Sequence, residues 1–361
     1  MRTVARRLVF GLLATLLLLG GVELGLRGAL GPPPPAVQVH TAVGDQERYL
    51  RVENGTVRAT YQFQDPLPPF PAEPQGPRVA FLGGSSVHGG QRHILSHQEF
   101  PALVGRMTGV EVLNLATPSL DSHDTLRIVE ELLPLRPTAI VVYDGHNDFG
   151  NVFFNARYMT ASAGLQARAV GLLERFRLYT SLRGQVRKAT TGTGLEGRID
   201  QGMAVTAARK EQSRAAFEAN LRRIAWLTRK AGVKLAVGTP ASCLRMPPAD
   251  VPCVEEPCAA QLWQQAVQSN DPVTARTALE AARDADPIPL RAPSSAIDTV
   301  RRVAEDEDLL LVDVVASLPA DPLGLPDCRF FADNVHFNEE GHRAMAELFA
   351  PAVRTLTGTA P

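Results

Sequence analysis

The sequence predicts an α/β protein in which a five-stranded parallel sheet is covered by helices on both faces. Five apolar runs are separated by segments with helical periodicity. Continuous apolar runs are typical of strands that are buried on both faces, and strands that alternate with helices are typical of parallel sheets. Polar residues follow several of these runs, at the strand ends where such sheets form binding sites.

The strands are expected at Val79–Gly83, Val110–Ala116, Thr138–Tyr143, Val233–Thr239 and Leu309–Val314. The helices are expected at Gln98–Met107, His123–Leu133, Glu211–Ala231, Ala275–Ala285, Ser294–Glu307 and Glu339–Leu356. Together they define a folded domain over residues 78–358, interrupted by two insertions, at 149–210 and 240–293.

The composition is that of a globular protein and excludes other classes. Of 361 residues, 45% are hydrophobic and 21% are charged, which is enough for a sizeable core. Lys and Arg total 37 and Asp and Glu total 38. That balance argues against a nucleic-acid-binding protein, which is normally strongly basic.

Residues 1–30 are predicted to form a membrane anchor or a signal segment. Arg2, Arg6 and Arg7 precede an apolar stretch, Leu8 to Leu26, whose 19 residues are just enough to cross a bilayer as a helix. Arginines on the N-terminal side place the rest of the chain outside the cytoplasm. The alternative is a cleaved signal peptide and a secreted protein, although no clear A-x-A cleavage site follows.

Residues 31–77 are predicted to be a proline-rich extracytoplasmic linker. The segment opens on Pro32–Pro35, and the later run Asp65–Pro71 holds four more prolines. Such proline density excludes regular helix and favours extended backbone. Within this segment, residues 43–63 would add an edge hairpin.

Three segments place reactive side chains at the ends of elements. The first strand leads into a glycine-rich turn that exposes the hydroxyl of Ser85. The third strand is followed by Asn147, whose amide can face a developing oxyanion. Near the C-terminus, Asp333 stands three residues before His336, a spacing at which a carboxylate can fix the imidazole tautomer.

These segments resemble the motif blocks of the SGNH hydrolases, also called the GDSL esterase/lipase family. The first block is similar to Gly83-Gly84-Ser85 with Gly89, the third to Gly145-His146-Asn147-Asp148, and the fifth to Asp333-Asn334-Val335-His336. The resemblance spans residues 78–356 and implies a three-layer α/β/α, flavodoxin-like fold. The N-terminal span and the Gly-His-Asn-Asp-Phe form of the third block also resemble a membrane-anchored bacterial subgroup, which implies a single-pass inner-membrane protein with its catalytic domain in the periplasm.

The resemblance implies a role for each motif residue. Ser85 would be the nucleophile, His336 its general base and later the general acid, and Asp333 the partner that orients the imidazole. The backbone N–H groups of Ser85 and Ser119 and the side-chain amide of Asn147 would form the oxyanion hole.

The remaining motif residues include two departures from the family pattern. Gly84 stands where the family usually has aspartate, and Ser119 stands where the second block usually has glycine. Gly83 and Gly145 match the pattern, and Asp148 would hold its turn by hydrogen bonds.

Cys243, Cys253, Cys258 and Cys328 form an even set in a chain that is placed outside the cytoplasm. One or two disulfides are therefore expected, and three connectivities are possible. All four cysteines follow the fourth and fifth strands, where a bridge from Cys328 to the 243–258 segment would brace the loops. No C-x-x-C motif occurs, so no metal site is predicted.

The sequence therefore predicts an extracytoplasmic serine esterase that hydrolyses acyl esters, O-acetyl groups among them, on a small molecule or a glycan. This chemistry requires no metal or organic cofactor, and the membrane is the other expected partner, through the N-terminal helix. Two alternatives remain open: an O-acyltransferase acting on envelope glycans, and a non-catalytic binding module on the same fold.

Overall fold

A computed structural model describes most of the chain, in two compact units. The described residues are 15, 18–29, 49–62, 67–89, 94–154, 176–179, 181–182 and 204–359. One unit comprises Met1–Val39 and Arg157–Gln201, and the other comprises His40–Ala156 and Gly202–Pro361.

The larger unit contains a three-stranded antiparallel sheet and a five-stranded parallel sheet. The strands are β1 (Leu50–Glu53), β2 (Thr56–Ala59), β3 (Phe70–Pro71), β4 (Arg78–Gly83), β5 (Glu111–Asn114), β6 (Ala139–Tyr143), β7 (Lys234–Gly238) and β8 (Leu310–Val312). In the parallel sheet their order is β5-β4-β6-β7-β8. This is the flavodoxin-like order, in which the second strand lies outside the first. The predicted five-stranded parallel sheet is confirmed.

The α-helices described in this unit include the six that the periodicity predicts, each close to its expected position, and four that it does not predict. They are α1 (Ser85–His88), α2 (Phe100–Thr108), α3 (Ser122–Leu132), α4 (His146–Phe154), α5 (Ala207–Ala231), α6 (Ala259–Gln268), α7 (Pro272–Ala285), α8 (Ser294–Asp306), α9 (Val314–Ser317) and α10 (Glu339–Thr357). Helices α6 and α7 occupy the predicted insertion at 240–293.

Two hydrophobic clusters lie on the opposite faces of the parallel sheet. Along β4, Ala80 and Leu82 point into the cluster that includes α3, α5 and α8, whereas Val79 and Phe81 point into the cluster that includes α2 and α10. Successive side chains of a strand face opposite sides, so a strand buried on both faces must be apolar throughout. This is why the predicted strands are continuous apolar runs.

The small antiparallel sheet belongs to the folded unit and packs on its core. Tyr49, Val57 and Phe70 are buried in the same cluster as α3. The Tyr61 hydroxyl donates a hydrogen bond to the carbonyl of Leu115, at 2.6 Å, directly after β5. These strands lie inside the predicted linker 31–77, so that part of the linker is structured, and the expected hairpin is present as β1 and β2.

The smaller unit is described over short segments. Residues 18–29 are helical, and Glu23 accepts hydrogen bonds from the backbone N–H groups of Arg177 (2.7 Å) and Leu178 (2.9 Å). Within the described ranges, no helix combines the length and apolar character needed to cross a bilayer. Half of the predicted span, residues 8–14, 16 and 17, lies outside those ranges, so the anchor stays a prediction.

Candidate active site

Ser85 is positioned by the turn that joins β4 to α1. It is the first residue of α1, and Gly84 forms the N-cap. The neighbouring Ser86 hydroxyl is buried and donates a hydrogen bond to the carbonyl of Val335, at 3.1 Å. The turn that presents Ser85 is thereby tied to the C-terminal loop that carries His336.

Ser85, His336 and Asp333 form a continuous hydrogen-bonded array. The Ser85 Oγ atom lies 2.7 Å from His336 Nε2, and His336 Nδ1 lies 2.7 Å from Asp333 Oδ2. The other carboxylate oxygen of Asp333 accepts hydrogen bonds from the backbone N–H groups of Val335 (3.0 Å) and His336 (2.9 Å). A base within hydrogen-bond reach of a hydroxyl, itself held by a third group, is the arrangement that activates a serine.

The charge of Asp333 is fixed by these contacts. Burial raises its pKa, but hydrogen bonds from the His336 side chain and from the Val335 and His336 backbone outweigh burial and hold the pKa at about 2. Asp333 is therefore ionised at any pH at which the protein would work. An ionised Asp333 favours the Nδ1–H tautomer of His336 and leaves Nε2 free to accept the serine proton.

The loop that carries Asp333 and His336 is held at both ends. The backbone N–H of Ala332 donates to the carbonyl of His336 at 2.7 Å, inside an antiparallel bridge between Phe331 and Phe337. After the loop, Asn338 caps α10 by accepting from the backbone N–H of Gly341 at 2.9 Å. The two residues of the array therefore lie in a loop that this bridge closes and that a capped helix follows.

A disulfide adds a further brace to this loop. Cys243, in the segment that follows β7, is bonded to Cys328. The backbone N–H of Cys243 also donates to the carbonyl of Asn334, at 2.9 Å. The predicted bridge from Cys328 to the 243–258 segment is confirmed, whereas Cys253 and Cys258 are free thiols.

The array lines a cleft of about 410 Å³ at the carboxyl ends of β4 and β6. The cleft brings together Ser85, Gly84, Gly145, Asn147, Asp333 and His336, all predicted from the sequence as site or motif residues. The order of the strands reverses between β4 and β6, and ligands of open α/β sheets bind at such a crevice.

Asn147 lies against the turn that presents Ser85. Its amide donates a hydrogen bond to the carbonyl of Leu120, at 2.6 Å. A Cβ atom at Gly84 would stand 2.3 Å from the Nδ2 atom of Asn147, a distance that real Cβ atoms essentially never show. The departure at Gly84 therefore has a physical reason here, because only glycine lets this amide approach the backbone beside Ser85.

Ser119 has the backbone conformation that the family's glycine would supply. Its φ is +68°, in the left-handed region that non-glycine residues rarely adopt. Asn151 holds the turn by donating to the carbonyl of Ser119 and to Asp121 Oδ2, both at 3.0 Å. Ser119 does not itself line the cleft among the described residues, and its predicted role as an oxyanion donor stays a prediction.

Behind the cleft, a network of buried polar side chains joins the turn after β5 to the turn after β6. Asp148 accepts hydrogen bonds from the hydroxyl and the backbone N–H of Ser122, the latter at 3.2 Å. Burial and the charges of Asp121 and Asp144 raise the pKa of Asp148 well above its usual range. Asp148 thus joins the turn after β6 to the start of α3 by hydrogen bonds, and it lies outside the cleft lining.

Several functional residues are not singled out by sequence reasoning. Asp121, Ser122 and Asn151 support the two turns, and Asp121 accepts from the first backbone N–H groups of α3. An aspartate before a helical pattern is a capping signal, so the role of Asp121 as a cap could have been found. Its contact with Asn151, 30 residues away, could not be found from the local sequence, because no pattern around either residue indicates it.

His146 also lines the cleft, in a role that the sequence does not predict. It is buried, and its Nδ1 atom accepts a hydrogen bond from the backbone N–H of Ala292, at 3.1 Å. Burial, and then the charge of His336, lowers the pKa of His146 to about 3. His146 therefore stays neutral at working pH and anchors the 286–292 segment to the cleft.

No group of three metal-ligating side chains is arranged to hold a metal ion within the described part of the chain. Asp121 and one carboxylate oxygen of Asp148 instead accept hydrogen bonds from serine, asparagine and backbone partners.

No family model and no curated protein matches this chain. Similar solved structures include a GDSL-like lipase from Bacteroides thetaiotaomicron (12% identity over 77% of this chain and 88% of that one, TM-score 0.40). Others are an acetyl xylan esterase (16%, 76% and 99%, TM-score 0.41) and a carbohydrate acetylesterase family member from Sinorhizobium meliloti (13%, 78% and 99%, TM-score 0.41). At TM-scores this low, the function of this chain has to be argued from the geometry of its own cleft.

Proposed function

We propose that this protein is an SGNH-type serine esterase that hydrolyses acyl esters in the cleft at the ends of β4 and β6. One observation carries the proposal: Ser85 Oγ, His336 and Asp333 are joined by two hydrogen bonds of 2.7 Å, with the serine at the cleft surface. A serine hydroxyl is a weak nucleophile at its own pKa, and this array supplies the base that it needs.

The reaction follows from the positions of these groups. Ser85 Oγ attacks the acyl carbonyl carbon while its proton passes to His336 Nε2. The imidazolium is stabilised by Asp333, and it then protonates the leaving alkoxide, which departs and leaves an acyl-serine. Water attacks the acyl-serine with the same proton transfers, and the carboxylic acid and the free serine are restored.

The negative charge that develops on the carbonyl oxygen falls beside the N-terminus of α1. The backbone N–H of Ser85 and the amide of Asn147 are the donors proposed to stabilise it, with Ser119 as a third. Asn147 donates one amide hydrogen to Leu120 and keeps a second for the oxyanion. The close approach allowed by Gly84 supports this role, since it brings the amide to the backbone that precedes the nucleophile.

We further propose that the esterase works outside the cytoplasm, in the bacterial periplasm, held by its N-terminal segment. Two features support this location: arginines followed by an apolar stretch at residues 1–30, and the Cys243–Cys328 disulfide. Disulfides persist in oxidising compartments and are rare in the cytoplasm.

Turnover of p-nitrophenyl acetate by the full chain and by Ser85→Ala tests the proposed activity. Ser85→Ala is expected to reduce turnover to the background rate, because among the described residues no other hydroxyl is paired with His336. A circular dichroism spectrum that matches the wild type is the control for folding. If the wild-type protein shows no turnover on this ester or on acetylated glycans, the proposal fails and the non-catalytic binding module takes its place.

A further inference from the structure

The segment that joins α7 to α8 presents one apolar side chain to the catalytic cleft. Residues 286–293 are all buried except Leu290, whose exposed fraction is 42%, and Leu290 lines the cleft. The other large hydrophobic side chains of that lining are buried: Leu120, Tyr143 and Val335. Among the described residues, Leu290 is therefore the apolar side chain that a molecule bound in the cleft would cover.

A buried ion pair fixes the shape of this segment. Arg291 and Asp286 are both buried, and Arg291 Nη2 lies 3.3 Å from Asp286 Oδ2. Arg291 also donates through Nη1 to the carbonyl of Met246, at 2.8 Å. Asp286 accepts a hydrogen bond from the backbone N–H of Ile288, at 2.9 Å. Buried charges are costly unless they are paired and hydrogen-bonded, so the backbone that carries Leu290 cannot move without breaking these contacts.

The same segment is attached to α4, the helix that follows β6. The backbone N–H of Ala292 donates to Nδ1 of His146, the first residue of α4. Gly150 lies one turn further along this helix. A Cβ atom at Gly150 would stand 3.4 Å from the carbonyl oxygen of Pro289 and 3.9 Å from the Cα atom of Leu290. Leu290 is therefore held against the first turns of α4.

This position indicates which part of an ester would meet Leu290. The departing oxygen must lie beside His336 Nε2, which protonates it, and His336 belongs to the loop from Phe331 to Phe337. Leu290 packs instead on α4, whose first turn carries the proposed oxyanion donor Asn147. The acyl chain extends from the carbonyl carbon away from the departing oxygen, so the acyl chain is the part expected at Leu290.

We propose that Leu290 sets the acyl-chain preference of this protein, by forming an apolar wall for acyl chains longer than acetyl. The inference rests on the proposed esterase function and names its substrate class. A single exposed leucine on an open surface would have no such meaning, but ligand pockets are lined mainly by apolar side chains, and this leucine is fixed in the cleft. Each methylene group buried there would strengthen binding about fourfold, and an acetyl group has no methylene.

The ratio of kcat/KM on p-nitrophenyl hexanoate to kcat/KM on p-nitrophenyl acetate tests the proposal. The full chain is expected to prefer the hexanoate at least about fourfold, and Leu290→Ala should lower the ratio at least about fourfold, the effect of one buried methylene group. Leu290→Met keeps an apolar side chain of similar size and should change the ratio by less than about twofold. Val273→Ala is the matched control, because Val273 is an exposed apolar residue of α7 outside the cleft lining, and the ratio should not change.

A second series separates the acyl chain from the alcohol. Ethyl acetate and hexyl acetate share one acyl group and differ in the alcohol. Leu290→Ala is expected to leave the ratio of kcat/KM between these two esters unchanged. If this ratio changes as much as the ratio in the acyl series, Leu290 contacts the alcohol and the proposal is overturned. A wild-type preference for acetate over hexanoate, or an acyl-series ratio that Leu290→Ala does not change, also overturns it.

Binding to Ser85→Ala distinguishes failure of this proposal from failure of the esterase function. Because the variant lacks the nucleophile, equilibrium dialysis measures the Kd of both p-nitrophenyl esters without acyl transfer. The hexanoate is expected to bind at least about fourfold more tightly than the acetate, and the added Leu290→Ala should remove the difference. If this difference is present but the full chain cleaves neither ester, the esterase function is wrong and the apolar wall stands. Equal binding of the two esters overturns the apolar wall, whether or not the full chain is active.

Discussion

Replacement of Asn147 tests the proposed oxyanion hole separately from the nucleophile Ser85. Removal of a single oxyanion donor typically costs about 10²–10³-fold in kcat. Asn147→Ala is therefore expected to lower kcat on p-nitrophenyl acetate by about that factor. The side chain makes one hydrogen bond, to Leu120, so the thermal midpoint should change little. Near-full activity of the variant would refute its role as a donor.

Replacement of Gly84 tests the position of the Asn147 amide in a second way. Gly84→Ala places a methyl group where Asn147 Nδ2 now lies, so the amide must move away from Ser85. We expect kcat to fall at least tenfold. Gly76→Ala is the matched control, because nothing lies within 4 Å of its added methyl group and its activity should be unchanged. If both variants keep wild-type kcat, the close approach of Asn147 has no role in turnover.

The buried carboxyl group of Asp144 is expected to make the stability of the fold depend on pH. Burial raises its pKa to about 7, against an ordinary value of 3.8. The folded protein therefore holds a proton on Asp144 that the unfolded chain loses, and Asp144 costs stability increasingly as pH rises from about 4 to about 7. Asp144→Asn cannot ionise, so its free energy of unfolding relative to the wild type should be higher at pH 8 than at pH 5. Urea unfolding measures this free energy for both proteins. If the difference between variant and wild type is the same at pH 5 and at pH 8, the pKa of Asp144 is not raised in the folded protein.

The loop from Phe331 to Phe337 is the element on which the array depends. It is braced by the Cys243–Cys328 disulfide, which closes a separation of 85 residues. In the chain-entropy model such a bridge stabilises the folded state by about 4.6 kcal/mol. Replacement of both cysteines by serine is expected to lower the thermal midpoint, and to lower kcat several-fold because Asp333 and His336 lose their support.

Cys253→Ser is the control for this loop, since Cys253 is exposed and carries no bridge. It should behave as the wild type in both measurements. A double variant that loses stability but keeps full kcat would show that the bridge stabilises the fold without positioning the array.

Elements with a strong periodic signal could be predicted, and those held by distant contacts could not. The apolar runs that become β4 and β6 are buried on both faces, so the sequence pattern alone identifies them. The hairpin of β1 and β2 is expected from the sequence, but β3 and the packing of these strands on the core are not. They are fixed by contacts such as that of Tyr61 with Leu115, 54 residues away, which no local pattern encodes.

The same distinction holds for the cleft. Ser85, Asn147, Asp333 and His336 belong to short motifs, and the order of the strands brings these motifs together. His146 and Asn151 lie next to the motif residues in sequence, yet their roles come from Ala292 and Ser119, which only the folded chain places beside them. Motifs predict the reacting groups, whereas the groups that support them require the tertiary structure.

At the scale of the whole molecule, the strand order of the parallel sheet explains why Ser85 and Asn147 line one cleft. The first strand in the folded sheet, β4, lies between β5 and β6, so the turns after β4, β5 and β6 converge at one edge of the sheet. A second cavity, of about 340 Å³, lies along the same edge, after β7 and β8.

Labelling by a fluorophosphonate tests the central claim most directly, because such reagents react with serines that a neighbouring base has activated. The intact protein would be incubated with the reagent and the adduct located by peptide mass spectrometry, beside His336→Ala. We expect one adduct, on Ser85, that is lost or strongly slowed in His336→Ala. An unlabelled Ser85, or labelling that proceeds equally without His336, would contradict the account of an activated serine.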